Sequence, residues 1–278
     1  MDAWPAPAKL NLFLHVVGRR DDGYHELQTI FRLLDYGDVL RFRIRSDGLI
    51  QRQPGNDGLP VEDLSVRAAQ HLQKAAGTKS GVDIHLIKRI PQGSGLGGGS
   101  SDAATTLHAL NQLWQLGFDM QALNQLGAAL GADVPVFIRG RSAFAEGIGE
   151  QLAPIDLPPC WYSVVVPPVS VSTARIFADP ELTRDTPRRT IPRLLAGAVQ
   201  NDLEPVTCRH YPVVAECLDW LRSFGEARMT GSGSAMFVEV PNRESGLDIL
   251  TQAPSGCSGF VARGINCHPL SEQSAVGV

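Results

Sequence analysis

The chain has 278 residues and a mass of 30.0 kDa, with 43% apolar and 19% charged residues, enough apolar material for one large or two ordinary globular domains. A net charge of -4 and an isoelectric point near 6.0, without a dense Lys/Arg stripe, exclude a nucleic-acid-coating surface, and no apolar stretch approaches membrane-spanning length. Five cysteines, odd in number and lacking any Cys-x-x-Cys pair, argue against a disulfide framework or a structural zinc, and with no signal-like N-terminus the expectation is a cytoplasmic protein.

Residues 8–17 alternate, with Ala8, Leu10, Leu12, Leu14 and Val16 on one face and Lys9, Asn11, Phe13 and His15 on the other. A period of two predicts a strand, with Lys9 and Asn11 side by side on its less apolar face. A turn at 18–23 leads through Tyr24 and His25 into a second strand ending at Leu34. The run Asp35-Tyr36-Gly37-Asp38 predicts another turn, and 39–45 a third strand that buries Leu40, Phe42 and Ile44 and turns Arg41, Arg43 and Arg45 to water. Such spacing predicts an antiparallel meander. A loop over 51–60 is followed by a helix with Leu64, Ala68, Leu72 and Ala75 on one face and Gly77 at its end.

A strand over 82–90 then delivers Pro91-Gln92-Gly93-Ser94-Gly95-Leu96-Gly97-Gly98-Gly99-Ser100-Ser101. Its five glycines let a ligand approach the backbone and let successive N–H groups converge, which is how a chain wraps phosphate. Ser100 and Ser101 are expected to cap a helix carrying Ala103, Leu107, Leu110 and Trp114, with Gly117 as its stop, so an oligophosphate at the loop would meet free amides and the positive end of a helix dipole. Gly93, Gly95 and Gly98 have the spacing of a dinucleotide fingerprint, but that motif needs an early first strand and an acidic residue ending the next strand, and a Walker loop needs a terminal Gly-Lys-Ser/Thr that does not occur here. The His-Arg-Asp and Asp-Phe-Gly triplets of protein kinases are absent.

Asp119 is expected to cap a helix running to Leu130, and 132–138 reads as a strand begun by Asp133, with Pro135 holding Val134 extended. Pro154, Pro158 and Pro159 mark the expected boundary between an N-terminal domain, 1–154, and a C-terminal one, 155–278. The second part reads as a strand over 161–166, a short segment over 172–177, helices over 191–198 and 211–224, a strand over 235–240, a helix over 244–253 and a strand over 260–264. Between these, Met229-Thr230-Gly231-Ser232-Gly233-Ser234-Ala235 reads equally as a ligand loop or a tight hairpin.

The run from Pro91 to Ser101 resembles the glycine loop of the GHMP kinases, which phosphorylate small molecules with ATP. Pro7-Ala8-Lys9-Leu10-Asn11-Leu12, Asp22-Gly23-Tyr24-His25, Leu130-Gly131-Ala132-Asp133-Val134-Pro135 and Thr230-Gly231-Ser232-Gly233 occur with it in order, over nearly the whole chain to about Gly264. Together they resemble the branch whose acceptor is a methylerythritol linked to cytidine diphosphate, in the non-mevalonate isoprenoid pathway. The resemblance implies an α+β, two-domain fold with the active site in the interdomain cleft. It implies Lys9 and Asp133 as the catalytic pair, residues 91–101 as the ATP loop, and Asn11, Tyr24, His25, Thr173 and Phe177 as acceptor contacts. Tyr24 and Phe177 would sandwich the cytosine and His25 would address its polar edge. Magnesium is implied by ATP, its ligands being unassigned, and the expected state is a monomer or weak homodimer without nucleic-acid or membrane partners. A homoserine or mevalonate type of GHMP kinase is the alternative, and beyond it a nucleotide-binding module without catalysis. The sequence departs from the family pattern at Asp102 and Asp63, where asparagine is expected. Asp102 would weaken ATP binding or be solvated away.

Overall fold

The computed structural model describes residues 2–53, 58–196 and 199–270. Strands β1 (Trp4–Arg19) and β2 (His25–Arg45) form a long antiparallel pair, followed by β3 (Ile50–Arg52), helix α1 (Leu64–Ala76), β4 (Gly81–Ile87) and helices α2 (Gly98–Leu113), α3 (Met120–Ala128) and α4 (Val134–Arg139). Then come β5 (Ala143–Glu146), β6 (Gln151–Pro154), β7 (Trp161–Val166) and helices α5 (Thr173–Ala178), α6 (Ile191–Ala196), α7 (Glu204–His210) and α8 (Pro212–Arg222). Strands β8 (Arg228–Met229) and β9 (Met236–Val240), helix α9 (Arg243–Thr251) and β10 (Ser258–Ile265) complete the described chain.

Among the described residues one ten-stranded sheet is formed, and β2 is its spine. It pairs with β1, with β4 through Val39 to Arg45, with β5 through Thr29 to Phe31 and with β10 through Leu33 and Leu34. Helices α1 to α4 bury one apolar cluster against the β1, β2 and β4 region, and α7, α8 and α9 bury a second against β7, β9 and the far end of β1. The fully buried Arg32 guanidinium donates to the carbonyls of Pro158 and Gly264, at 2.9 Å each, and so fastens β2 to the chain around 158 and to β10. An arginine can occupy such a place because its planar fork presents several donors at once. None of the described helices is long and apolar enough to cross a membrane.

Several local expectations hold for the reasons given by the sequence. Gly77 closes α1 in the left-handed region, and at the other end Asp63, not foreseen as a cap, accepts from the Ser65 and Val66 amides at 2.8 and 3.2 Å. Asp119 caps α3 through the Ala122 amide at 2.8 Å. Arg43 and Arg45 do sit on the outer face of β2, where both pair with Asp83, although Ile44, expected to be buried, is 42% exposed.

Other expectations are corrected. No turn ends β2 at Asp35-Tyr36-Gly37-Asp38: Gly37 and Asp38 pair with Pro7 and Ala6 of β1, and Asp35 and Tyr36 fall in the register shift before the Lys9–Leu33 pair. Each of its turn-forming residues has another use: Asp35 accepts from the Arg263 amide, Tyr36 stacks on Phe260 with centroids 3.7 Å apart, and Asp38 accepts from the Ile90 amide at 2.8 Å. Gly37 is there for closeness, since a Cβ at that position would stand 2.2 Å from the Ala6 carbonyl oxygen. Residues 51 and 52, expected in a loop, belong to β3, parallel to β4. The predicted strand over 132–138 is instead helix α4. Its five consecutive buried residues, Val134 to Ile138, have no periodicity to betray a helix, and Pro135 is tolerated because it lies in the first turn. Ser100 and Ser101 do not cap α2, which begins at Gly98 after Gly97, and that helix closes at Trp114 rather than running to Gly117. Helix α7 was not anticipated, and the run from Met229 to Ala235 does connect the hairpin β8–β9.

Candidate active site

Both faces of β1 are covered, so the Lys9 side of the strand is interior rather than solvated: Lys9 and Asn11 are 2% and 3% exposed. Register shifts after Pro7 and after Asn11 bracket the two residues, and such irregularities re-aim side chains. The Lys9 amide donates to the Leu96 carbonyl at 3.0 Å, which ties the strand to the glycine loop. Its ammonium donates to Asn11 Oδ1 at 2.6 Å and to the Gly95 carbonyl at 2.8 Å, and lies 3.3 Å from Asp133 Oδ2. Those three partners use its three donors.

Asn11 is itself held from three sides. Its amide side chain receives Lys9 and donates to Thr29 Oγ1 at 2.9 Å, while its backbone N–H donates to Thr230 Oγ1 at 2.8 Å. Asp133 stands at the N-terminus of α4 without capping it, and its side chain remains 35% exposed. A carboxylate with so few contacts keeps lone pairs for something else.

Lys9, Asn11 and Asp133 line a cavity of roughly 600 Å³ together with Tyr24, His25, Thr173, Phe177, Gly231 and Ser232. All the acceptor contacts expected from the sequence are therefore in one place. Tyr24 is 59% exposed at the rim, and the Phe177 ring lies against His25 at 5.1 Å, so these two aromatics do not face each other as an already formed clamp. Thr173 Oγ1 and Ser232 Oγ are 2.7 Å apart. His25 binds a proton less readily than an ordinary histidine, first because it is partly buried and then because Arg184 and Arg19 are near.

A second cavity, roughly 570 Å³, is lined by every loop residue from Pro91 to Ser100, with Lys88, Asp63 and Asp102. The two cavities share Gly95, Gly97, Ser100 and Thr173, so the loop is the wall between them. The first amide that bonds inside α2 is that of Ser101, to the Gly97 carbonyl at 2.9 Å, and helix geometry leaves the N–H groups of Gly98, Gly99 and Ser100 without intrahelical partners at this wall. Ser101, the remaining loop residue, is completely buried and lines neither cavity. Gly97, with φ of 76°, has a second necessity: a Cβ there would be 2.9 Å from the Phe137 ring of α4 and 3.1 Å from Lys9 Cε. The loop, the lysine and the helix bearing Asp133 thus touch at one glycine.

Asp102 is not solvated away. It is 3% exposed and pairs with Lys88 at 2.8 Å, and Lys88 also pairs with Asp38. Burial pushes the Asp102 carboxyl up to about 8, with Asp38 adding to the effect and Lys88 opposing it. Burial alone would lower Lys88, but the two carboxylates outweigh it and its ammonium lies above the usual lysine range. Asp63 is likewise committed locally, to its cap and to Arg52 at 2.7 Å.

Thr29, Lys88, Arg184 and the pairing of Ser232 with Thr173 were not anticipated as parts of the site. Thr29 and Arg184 carry no signal in the sequence, because their relevance arises from strand register and loop packing. Ser232 lay within the quoted glycine-serine loop. Lys88 stands just before the glycines, where an alert reading of charge beside a phosphate loop had a chance of finding it.

Comparison with known proteins adds a frame to this geometry. Residues 63–141 match the GHMP kinases N terminal domain and residues 186–258 the GHMP kinases C terminal family. The chain is 57% identical over 271 residues to the 4-diphosphocytidyl-2-C-methyl-D-erythritol kinase of Halorhodospira halophila, covering 96% of this chain and 94% of that one. A crystal structure of 4-(cytidine 5'-diphospho)-2C-methyl-D-erythritol kinase superposes with a TM-score of 0.84 at 36% identity, covering 95% of this chain and 99% of the other. A crystal structure of mevalonate kinase shares the fold at a TM-score of 0.69 and 16% identity, covering 96% and 100%.

Proposed function

The chain belongs to the 4-diphosphocytidyl-2-C-methyl-D-erythritol kinases, a branch of the GHMP kinases, and from that premise we propose that it transfers the γ-phosphoryl group of ATP to the 2-hydroxyl of cytidine diphosphate-linked methylerythritol, in the supply of isoprenoid precursors. The observation that carries the reading is Lys9 at 3.3 Å from Asp133, beside a glycine loop that separates one cavity from another. A kinase needs the acceptor hydroxyl and the triphosphate on two sides of one such point.

Asp133 takes the proton of the attacking hydroxyl. Lys9 does not, because its ammonium already donates to Asn11 and Gly95 and pairs with Asp133, and it serves as a fixed cation that orients the carboxylate and hydroxyl and offsets charge on the transferred group. ATP lies in the loop cavity, with its phosphates toward the free amides at the start of α2. Tyr24, His25 and Phe177 hold the cytosine, and Thr173, shared by both cavities, contacts the acceptor where it meets the loop. Among the described residues no group of three or more His, Cys, Asp or Glu side chains could hold a metal. Magnesium, implied by ATP, would arrive with the nucleotide's phosphates and would help offset their charge, its protein ligands being unassigned.

The test is ATP consumption with a panel of acceptors. The cytidine-linked methylerythritol should be phosphorylated, with mevalonate and homoserine left unchanged. Turnover of either of the latter in its place would reject the assignment.

A further inference from the structure

Arg184 lines neither cavity and lies in the segment that follows α5. Its Nε donates to His25 Nε2 at 3.0 Å. Its Nη2 donates to the carbonyls of Phe177 at 3.1 Å and Asp179 at 2.7 Å, and its Nη1 to that of Leu182 at 3.0 Å. One planar group thus joins the C-terminal end of α5, where Phe177 sits, to the imidazole at the start of β2. A lysine, with a single point charge, cannot span these partners.

A ring nitrogen that accepts a hydrogen bond carries no proton, so neutral His25 bears its proton on Nδ1. The charges facing this ring are Arg184 and Arg19, both cations, and the adjacent Glu26 is engaged by Arg188. Both cations disfavour a second proton. We propose that Arg184 is a positioning residue for the acceptor's base: by fixing His25 as the Nδ1–H tautomer and holding it against Phe177, it makes the site select cytosine over uracil. The inference rests on the reading that His25 meets the base edge. Cytosine N3 accepts a hydrogen bond and uracil N3 donates one, so an Nδ1–H satisfies the first and opposes the second. Without the arginine, imidazole can exchange tautomers and serve either base.

Two measurements on the full chain separate this claim from the proposed function. Long-range proton–nitrogen correlation spectra of labelled protein should show His25 protonated on Nδ1 in the parent, and a mixture of tautomers with a titration moved to higher pH in Arg184→Met. A parent His25 protonated on Nε2, or an unchanged tautomer in the variant, would overturn the lock whether or not the enzyme uses the cytidine acceptor. In turnover assays, Arg184→Met and Arg184→Lys, each verified as folded by circular dichroism, should lose about tenfold of the preference for the cytidine acceptor over its uridine counterpart. The loss should appear mainly as a rise in KM for the cytidine acceptor and much less in kcat. Undiminished preference in both variants would overturn the role in base choice. A parent that phosphorylates neither acceptor would instead reject the function, leaving the spectra to decide the lock.

Discussion

Two lysine–carboxylate groupings flank the glycine loop, and they are built in opposite ways. Lys88 sits between Asp38 and Asp102, whose side chains are essentially excluded from solvent, and Asp38 takes two further hydrogen bonds from the Arg89 and Ile90 amides at 2.5 and 2.8 Å. Lys9 is just as buried, but its carboxylate partner Asp133 is 35% exposed, makes a looser contact at 3.3 Å and leaves its helix uncapped. The closed grouping binds the strand before the loop to the helix after it. The open one keeps a carboxylate short of partners at the wall between two cavities. Lysine and carboxylate alone do not set the two groupings apart; the number of commitments each carboxylate oxygen already has does.

The largest way to break the comparison is Lys88→Met. Removing the cation leaves the buried Asp38 carboxylate without its ion partner, and denaturant unfolding should register a loss of about 3–5 kcal/mol. A variant within 1 kcal/mol of the parent, about the value of an exposed pair, would show that the closed grouping is not structural.

A smaller effect sharpens the open side. Base stacking is worth about 1–3 kcal/mol, so Tyr24→Ala or Phe177→Ala should weaken acceptor binding by about 5- to 150-fold while ATP binding scarcely moves. Tyr24 is the cleaner test, because Phe177 also packs on the second apolar cluster and Tyr24 is exposed. Calorimetry with each ligand checks the prediction, and equal losses for ATP and acceptor would contradict it.

A third effect is one of pH. Asp102 has a raised proton affinity in the folded chain, so its contribution to stability is complete below the ordinary carboxylate range, near pH 4, and is lost as pH rises through about 8. Asp102→Asn removes the titration while keeping the shape. Between pH 5 and pH 9 the parent should lose more stability than the variant, measured by denaturant unfolding in matched buffers. Parallel pH profiles would mean that Asp102 is charged throughout.

The sequence was most readable where function is contiguous. The loop from Pro91 to Ser100 lines one cavity as a continuous run, and the alternation around Lys9 and Asn11 identified their strand. Asp133 was located correctly at an element's start although the element was mistaken, because a chain junction precedes Val134 in either reading while the buried run to Ile138 is apolar on every side. What could not be read depends on strand register and packing. The turn-like residues 35 to 38 are extended because β1, β10 and the segment after β4 supply partners. Thr29 and Arg184 reach the site through contacts with residues 11 and 25, which no local pattern announces.

The central claim is that of the two groupings only the open one performs chemistry, and single-turnover quench measurements on Asp133→Asn and Asp102→Asn compare them directly. With saturating ATP and the cytidine acceptor, phosphoryl transfer should slow by about 10²- to 10⁴-fold in Asp133→Asn, as for a lost general base, and by less than about tenfold in Asp102→Asn. Near-native transfer in Asp133→Asn, or equal losses in both variants, would contradict the account.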